Sequence, residues 1–269
     1  MQVVAPSTVE CDRSYTTRLQ KGGALLDDMR LLVRTWNGGP LNEQREAGIL
    51  ENVLGKQSRA RAADTYGRAF IPRFIRGNPP EAWRIGRALE DREVSSNTIR
   101  PIYYWITARS EPLLYDYVTE ELMSRSRRAD RTIRVDETAS WIRAKLAERE
   151  KAWSPTVTLK VARGMLATLR DFHILEGAAK KHIAPIYLPI EAFAYLAFAL
   201  HKCGASGEGL VRHPDWNLFL LATGDVEQLF LEAHQSRLLS YQAAGKIVRI
   251  EFAASTFEEM ADVVAARAH

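Results

Sequence analysis

The stretch SPTVTLKVARGMLATLRDFHILEGAAKKHIAPIYL, residues 154–188, decides how the chain is read. Ser154 followed by Pro155 is an N-cap with proline at the first helical position, where the missing N–H costs nothing and φ is already set for a helix. Leu159, Ala162, Leu166 and Leu169 then recur at helical spacing as a core stripe, while Thr156, Lys160, Arg163, Gly164 and Ala167 face the other way. The helix is expected to end near Phe172. Beyond it, His173-Ile174-Leu175 and Ile183 to Leu188 flank the loop Glu176 to Lys181 as a β-hairpin. A helix predicted over Asp136 to Glu150 completes the order helix, helix, lysine-tipped hairpin, which is the order of a winged helix. In that reading the Ser154 to Phe172 helix enters the major groove, and Lys180 and Lys181 contact the flanking backbone. The small Gly164 and Ala167 would let another backbone come close. Winged helices also serve as protein-docking modules, so that reading stays open.

Upstream, residues 1–14 show no periodicity and are expected to be a loose tail. Leu25, Met29 and Leu32 mark a helix from Gly22 to Trp36, stopped by Asn37-Gly38-Gly39-Pro40. A short helix from Asn42 to about Glu51 is followed by the break Leu54 to Ser58. Ser58 then caps a helix whose Ala63, Tyr66, Phe70 and Phe74 line one face. Two helices joined by a glycine-containing turn, the second cationic, match a helix-turn-helix. Arg61, Thr65 and Arg68 lie opposite the apolar stripe, Lys56 and Gln57 sit at the helix start, and Arg59 turns partly toward the apolar side. Arg73 and Arg76 continue the belt, with Asp64 as the sole acid between Lys56 and Arg76. A solvated basic face on a helical bundle is the competing reading.

Asn78-Pro79-Pro80 opens a helix carrying Trp83, Ile85 and Leu89, and Ser95 to Arg109 contributes Tyr103, Tyr104, Trp105 and Ile106 to the core. The arginine-rich run Ser124 to Arg134, with Arg125, Arg127, Arg128 and Arg131, reads as a boundary or an exposed phosphate-contacting loop. Pro189 to His201 is expected to be an apolar helix packed on the hairpin, followed by helices around Trp216 to Leu221 and Asp225 to Leu239. A strand from Lys246 to Phe252, with Val248, Ile250 and Phe252 on one face, and a last helix close the chain. The expected division is a tail (1–14), an N-terminal helical domain (15–124), a winged-helix domain (125–212) and C-terminal elements packing on it (213–269).

The 269 residues carry a net charge of +4, unevenly placed. Up to Val135, 22 Lys and Arg stand against 17 Asp and Glu; from Asp136 the balance is 15 against 16. The excess is almost all arginine, whose planar fork suits phosphate and guanine edges. Two cysteines, Cys11 and Cys203, and a start without a basic and apolar leader predict a cytoplasmic protein. Ile183 to Leu200 is not expected to span a membrane, because Pro185, Pro189 and Glu191 interrupt it.

Motifs for catalysis or metal binding fail to assemble. Six residues separate Gly48 from Gly55 and Gln57 intervenes between Lys56 and Ser58, so the phosphate-loop spacing is absent. His201, Cys203 and His213 lack metal-ligand spacing. Glu148, Glu150 and Lys151 lie at a helix end, not on the strands a nuclease motif requires. The pairs Asp27-Asp28, Glu120-Glu121 and Glu258-Glu259 diverge by about 100° on helices. No cofactor, metal or small-molecule substrate is expected.

Tyr15-Thr16-Thr17-Arg18-Leu19, Lys21-Gly22-Gly23, Leu25-Leu26, Asn52-Val53-Leu54-Gly55-Lys56 and Ser58-Arg59-Ala60-Arg61-Ala62 resemble the BrxA family, the small proteins of BREX bacteriophage-exclusion systems. The likeness extends in element order over nearly the whole chain. It implies a non-enzymatic DNA-binding component working beside other BREX components, with a NusB-like N-terminal region. It supplies no catalytic residues. What it carries over is the group Lys56, Ser58, Arg59 and Arg61, as a DNA-contacting or structural signature. The expected architecture is therefore mainly α, a helical bundle with a helix-turn-helix plus a winged helix with a small hairpin. The expected partner is duplex DNA. A protein-docking scaffold and an RNA-binding bundle are the alternatives.

Overall fold

A computed structural model describes residues 14–21, 23–245 and 247–267. Residues 1–13, most of the expected tail, and Lys246, the expected first residue of the last strand, lie outside them. A 3-10 turn at Arg18–Gln20 precedes α1 (Leu26–Thr35), α2 (Leu41–Leu50) and α3 (Arg59–Thr65). From Thr65 the chain continues as a π-helix over Tyr66–Ile75. Next come α4 (Trp83–Glu90), α5 (Ser96–Ser110) and α6 (Pro112–Asp116), which runs through a second π-helix (Tyr117–Leu122) into α7 (Met123–Ser126). The middle of the chain is β1 (Thr132–Ile133), α8 (Val135–Ala147), α9 (Pro155–Asp171), β2 (Leu175–Glu176) and β3 (Lys181–Ile183). It ends with α10 (Ile190–Lys202), α11 (Gly207–Val211), a 3-10 helix (Pro214–Phe219), α12 (Thr223–Gln235), the strands β4 (Ser240–Ala244) and β5 (Ile247–Glu251), and α13 (Phe257–Ala265). The architecture is mainly helical with two small antiparallel sheets.

α9 begins as its sequence dictates. Ser154 Oγ accepts the N–H of Val157 at 3.3 Å, and Pro155 occupies the first turn. It ends at Phe172, after which His173 takes a left-handed conformation, φ 63°. The hairpin is shorter than expected, because its last cross-strand hydrogen bond runs from the Ala184 N–H to the Ile174 carbonyl at 3.1 Å and the chain to Leu188 continues outside the strands. Its third strand, β1, lies inside the arginine-rich run expected to be a boundary or an exposed loop. The sheet order is β1-β3-β2, with Thr132 opposite His182 and Leu175 opposite Ile183. Ile133, Leu175 and Ile183 are buried beneath it.

The centre of the molecule is α10, buried continuously from Ala192 to Leu200. Its main neighbours are α5, α11, α12 and α13. Phe193 stacks on Trp216 and meets Phe230 edge-on, and Tyr195 donates to the Ile85 carbonyl at 2.8 Å. α13 reaches α4, where Arg92 grips Asp262 at 2.6 Å. β5 shows the expected alternation, with Val248, Ile250 and Phe252 half-buried and Ile247, Arg249 and Glu251 exposed. The strand β4 that pairs with it was not anticipated. The aromatic run of α5 is core: Tyr103, Tyr104, Trp105 and Ile106 are inaccessible to solvent.

Candidate nucleic-acid interface

The basic belt starts from a tight turn. Gly55 adopts φ +59°, and the N–H of Lys56 bonds the Asn52 side chain at 2.9 Å. Ser58 caps α3 by accepting the N–H of Arg61 at 3.3 Å. Ser58 is therefore structural, whatever else approaches it. Arg59, Arg61 and Arg76 are exposed, and Arg59 points away from the core rather than partly toward it. Arg61 donates to the Gln57 amide oxygen at 3.2 Å, and Arg68 binds Asp64 at 3.0 Å one turn away. Lys56 is drawn inward and donates to Asp28 at 2.8 Å.

Two expected contact residues are not at the surface. Thr65 is buried and its hydroxyl donates to the Arg61 carbonyl at 3.1 Å. Arg73 is 1% exposed and binds Glu111 at 3.2 Å and the carbonyl of Gly23 at 3.2 Å. Burial pulls its guanidinium below its ordinary pKa, and Glu111 opposes that shift. Helical spacing already sets Arg73, three residues after Phe70 and seven after Tyr66, on the flank of the apolar row, and Thr65 lies just before the π-helix that starts at Tyr66. The apolar row it supports is real: Tyr66, Phe70 and Phe74 are buried, with Phe70 and Phe74 stacked 5.8 Å apart.

On α9 the expected core stripe is present at Ala162, Leu166 and Leu169, with Leu159 half-covered. A second side is covered too. The 3-10 turn at Arg18–Gln20 lies across Gly164, where any Cβ would run into the Leu19 carbonyl. The small residues thus admit a segment of this same chain, and the Gly164 and Ala167 side is not open to a large partner. Thr156, Lys160, Arg163 and Arg170 remain exposed along one stripe. In the hairpin, Gly177 turns with φ +90° and Lys180 is exposed, but Lys181 folds back onto the Ala178 carbonyl at 2.8 Å. Arg127, Arg128, Arg131 and Arg134 around β1 are exposed, whereas Arg125 is clamped by Glu121 at 2.7 Å and Glu137 at 2.6 Å.

The structure adds residues that the sequence reading passed over. Arg18 and Lys21 join Lys56, Arg61, Arg68 and Arg73 around a cleft of about 400 Å³. They sit in the Tyr15 to Lys21 motif already noted, but nothing in their spacing places them against α3. Arg170 belongs to the α9 stripe, and its distance of seven residues from Arg163 could have revealed it. A larger cleft of about 830 Å³ runs beside the hairpin, lined by Arg100, Arg170, His173 and Tyr187 among others. Arg100 bonds His173 Nδ1 at 3.0 Å there; burial and that guanidinium both hold the imidazole pKa below its ordinary value.

His201 stacks on Phe252, and His213 caps the 3-10 helix by accepting the N–H of Asp215 at 3.2 Å. Among the described residues no group of three or more His, Cys, Asp or Glu side chains is arranged to hold a metal ion. Among them, too, no helix is long and apolar enough to cross a membrane.

A search of curated proteins finds no match. Two solved structures share the fold at low identity. An uncharacterized protein from Magnetospirillum magneticum is 14% identical with a TM-score of 0.53, aligned over 76% of this chain and 97% of its own. A magnesium ion-bound SspB is 12% identical with a TM-score of 0.59, aligned over 94% of this chain and 88% of its own. The BrxA family model matches residues 13–199, which contain both the belt around α3 and the α9 hairpin unit. The chain belongs to the BrxA family, and so to the proteins associated with BREX phage defence.

Proposed function

We propose that the chain is a non-enzymatic component of a BREX system that binds duplex DNA, with the segment β1-α8-α9-β2-β3 acting as a winged helix. The observation that carries this reading is the exposed cationic stripe on α9 beside the hairpin. Lys160 and Arg163 stand exposed one turn apart, Lys180 is exposed in the hairpin turn, and no ion pair ties any of the three to an acid among the described residues. Cations that the protein does not neutralise are the ones that release counterions on meeting phosphate. The half of α9 nearer its N-terminus is the part offered to a groove, since the 3-10 turn covers the Gly164 side. Arg59, Arg61, Arg68 and Arg76 form a second, outlying cationic surface, and Arg127, Arg128 and Arg131 a third. The partners are duplex DNA and other BREX components.

One observation favours docking onto a protein instead. Tyr187 is 80% exposed and Ile186 46% exposed on the extended segment after β3. An apolar contact there would tolerate salt, whereas binding through about six phosphates loses roughly a thousandfold in affinity between about 50 and 200 mM salt. Fluorescence anisotropy with a duplex of about 30 base pairs over that range separates the two. Steep salt dependence, weakened by Lys160→Ala/Arg163→Ala, is the expected result. A well-folded protein that leaves the duplex unbound at the lowest salt would overturn the DNA reading in favour of docking.

A further inference from the structure

We infer that the cleft between the 3-10 turn and α3 is a discrete site for a phosphate-bearing ligand, a pyrophosphate-like group in chemical class. The inference stands on the cleft's own charge balance and not on the duplex-binding reading. Six cationic side chains line it: Arg18, Lys21, Lys56, Arg61, Arg68 and Arg73. The carboxylates that reach them are fewer. Glu111 is shared between Arg73 at 3.2 Å and Arg18 at 3.4 Å. Asp64 is shared between Arg68 at 3.0 Å and Lys21 at 3.5 Å, and Asp28 serves Lys56. Among the described residues the Arg61 guanidinium meets only the neutral amide of Gln57. Three positive charges are left over, and the buried Nε of Arg18 has no hydrogen-bond partner.

A positive excess partly withdrawn from water is costly unless an anion meets it. Guanidinium forks satisfy phosphate oxygens in pairs, and a cleft of about 400 Å³ is within the size range of ligand pockets. The base of the site is fixed rather than adaptable, because Arg73 is locked by Glu111 and the Gly23 carbonyl, and Arg18 by the Ser110 carbonyl at 3.2 Å. Its mouth is adjustable. Asp64 is half exposed and holds Lys21 and Arg68 in the ligand's absence, so an incoming anion competes with that carboxylate.

Isothermal titration of the intact protein with inorganic pyrophosphate at low salt tests the site. One-site binding is expected, tightened about fivefold by Asp64→Asn, which releases two cations, and weakened about tenfold or more by Arg61→Ala/Arg68→Ala. Arg61 and Asp64 are exposed and Arg68 is partly exposed, on α3 or just beyond it, and circular dichroism and thermal melts of each variant check that the fold is kept. Lys160→Ala/Arg163→Ala should leave the titration unchanged. Absence of pyrophosphate binding, or binding indifferent to Asp64→Asn and to the arginine pair, overturns the site. Titrating ATP, and then a single strand with and without a 5′-phosphate, tells a free nucleotide from a nucleic-acid end as the natural source. A duplex that binds while pyrophosphate does not would sink this inference alone; the reverse would sink the duplex reading alone.

Discussion

Around α3 five of the six cations lining the cleft lie within reach of protein acids: Arg73 and Arg18 on Glu111, Lys56 on Asp28, Arg68 and Lys21 on Asp64. On α9 and its hairpin Lys160, Arg163 and Lys180 are exposed and join no such pair among the described residues. Both regions carry a cationic excess in sequence. The first uses most of its charge to fasten the N-terminal segment to the helices, and what is left over is gathered in a cleft. The second spends little charge internally and displays it along a helix. A basic run therefore means different things depending on how many carboxylates the fold brings to it.

The sharpest way to break this comparison is at Arg73. Replacing it with alanine leaves Glu111 buried with Arg18 as its remaining charged partner, and removing one member of a buried pair costs about 3–5 kcal/mol. Urea denaturation should show that loss, whereas Arg59→Ala, on the exposed side of the same belt, should stay within about 0.5 kcal/mol. Equal, small effects would mean that Arg73 is a surface residue after all.

Gly164 tests whether the N-terminal turn truly occupies α9. On an open helix face Gly→Ala gains about 1 kcal/mol in helix propensity. Here the new Cβ collides with the Leu19 carbonyl, so a net loss of about 1–3 kcal/mol is expected. A stabilised Gly164→Ala protein would free that side of α9 and enlarge the surface open to a groove.

DNA binding sharpens the contrast at smaller cost. Lys160→Ala and Arg163→Ala should each lower the slope of log affinity against log salt by about 1, as should Lys180→Ala. Lys181→Ala should lower it less, since that ammonium is occupied by the Ala178 carbonyl. Equal slopes for Lys180 and Lys181 would contradict the hairpin geometry.

The smallest effect is expected from pH. Burial, then Arg100, holds the His173 pKa below its ordinary value of about 6.5. The unfolded chain therefore takes up a proton first as pH falls. Stability is full above about pH 6.5 and declines as pH drops from there toward the folded-state pKa. His173→Gln should flatten the fall in Tm on that acid side slightly, because His173 is exposed and water screens the interaction. An unchanged profile would show that Arg100 and His173 do not couple α5 to the end of α9.

The sequence by itself determined the local elements wherever capping and periodicity agreed. Ser154-Pro155 opened α9, Ser58 opened α3, the aromatic run at Tyr103 to Ile106 was core, and the period-2 pattern set the faces of β5. It also carried the family, since the Tyr15 to Leu19 and Leu54 to Arg61 stretches lie within the residues that the BrxA family model matches. Tertiary structure alone decided which cations face outward. Arg73 went inside because it lies on the flank of the Tyr66, Phe70 and Phe74 row and because Glu111, 38 residues away, is brought beneath it. Arg18 and Lys21 joined α3, and Leu19 closed over Gly164, through contacts between segments that lie far apart in the chain. Periodicity reports how side chains are arranged around one axis. Whether a charge is neutralised depends on which other axis is packed against it, and that is set by the summed burial of the whole core.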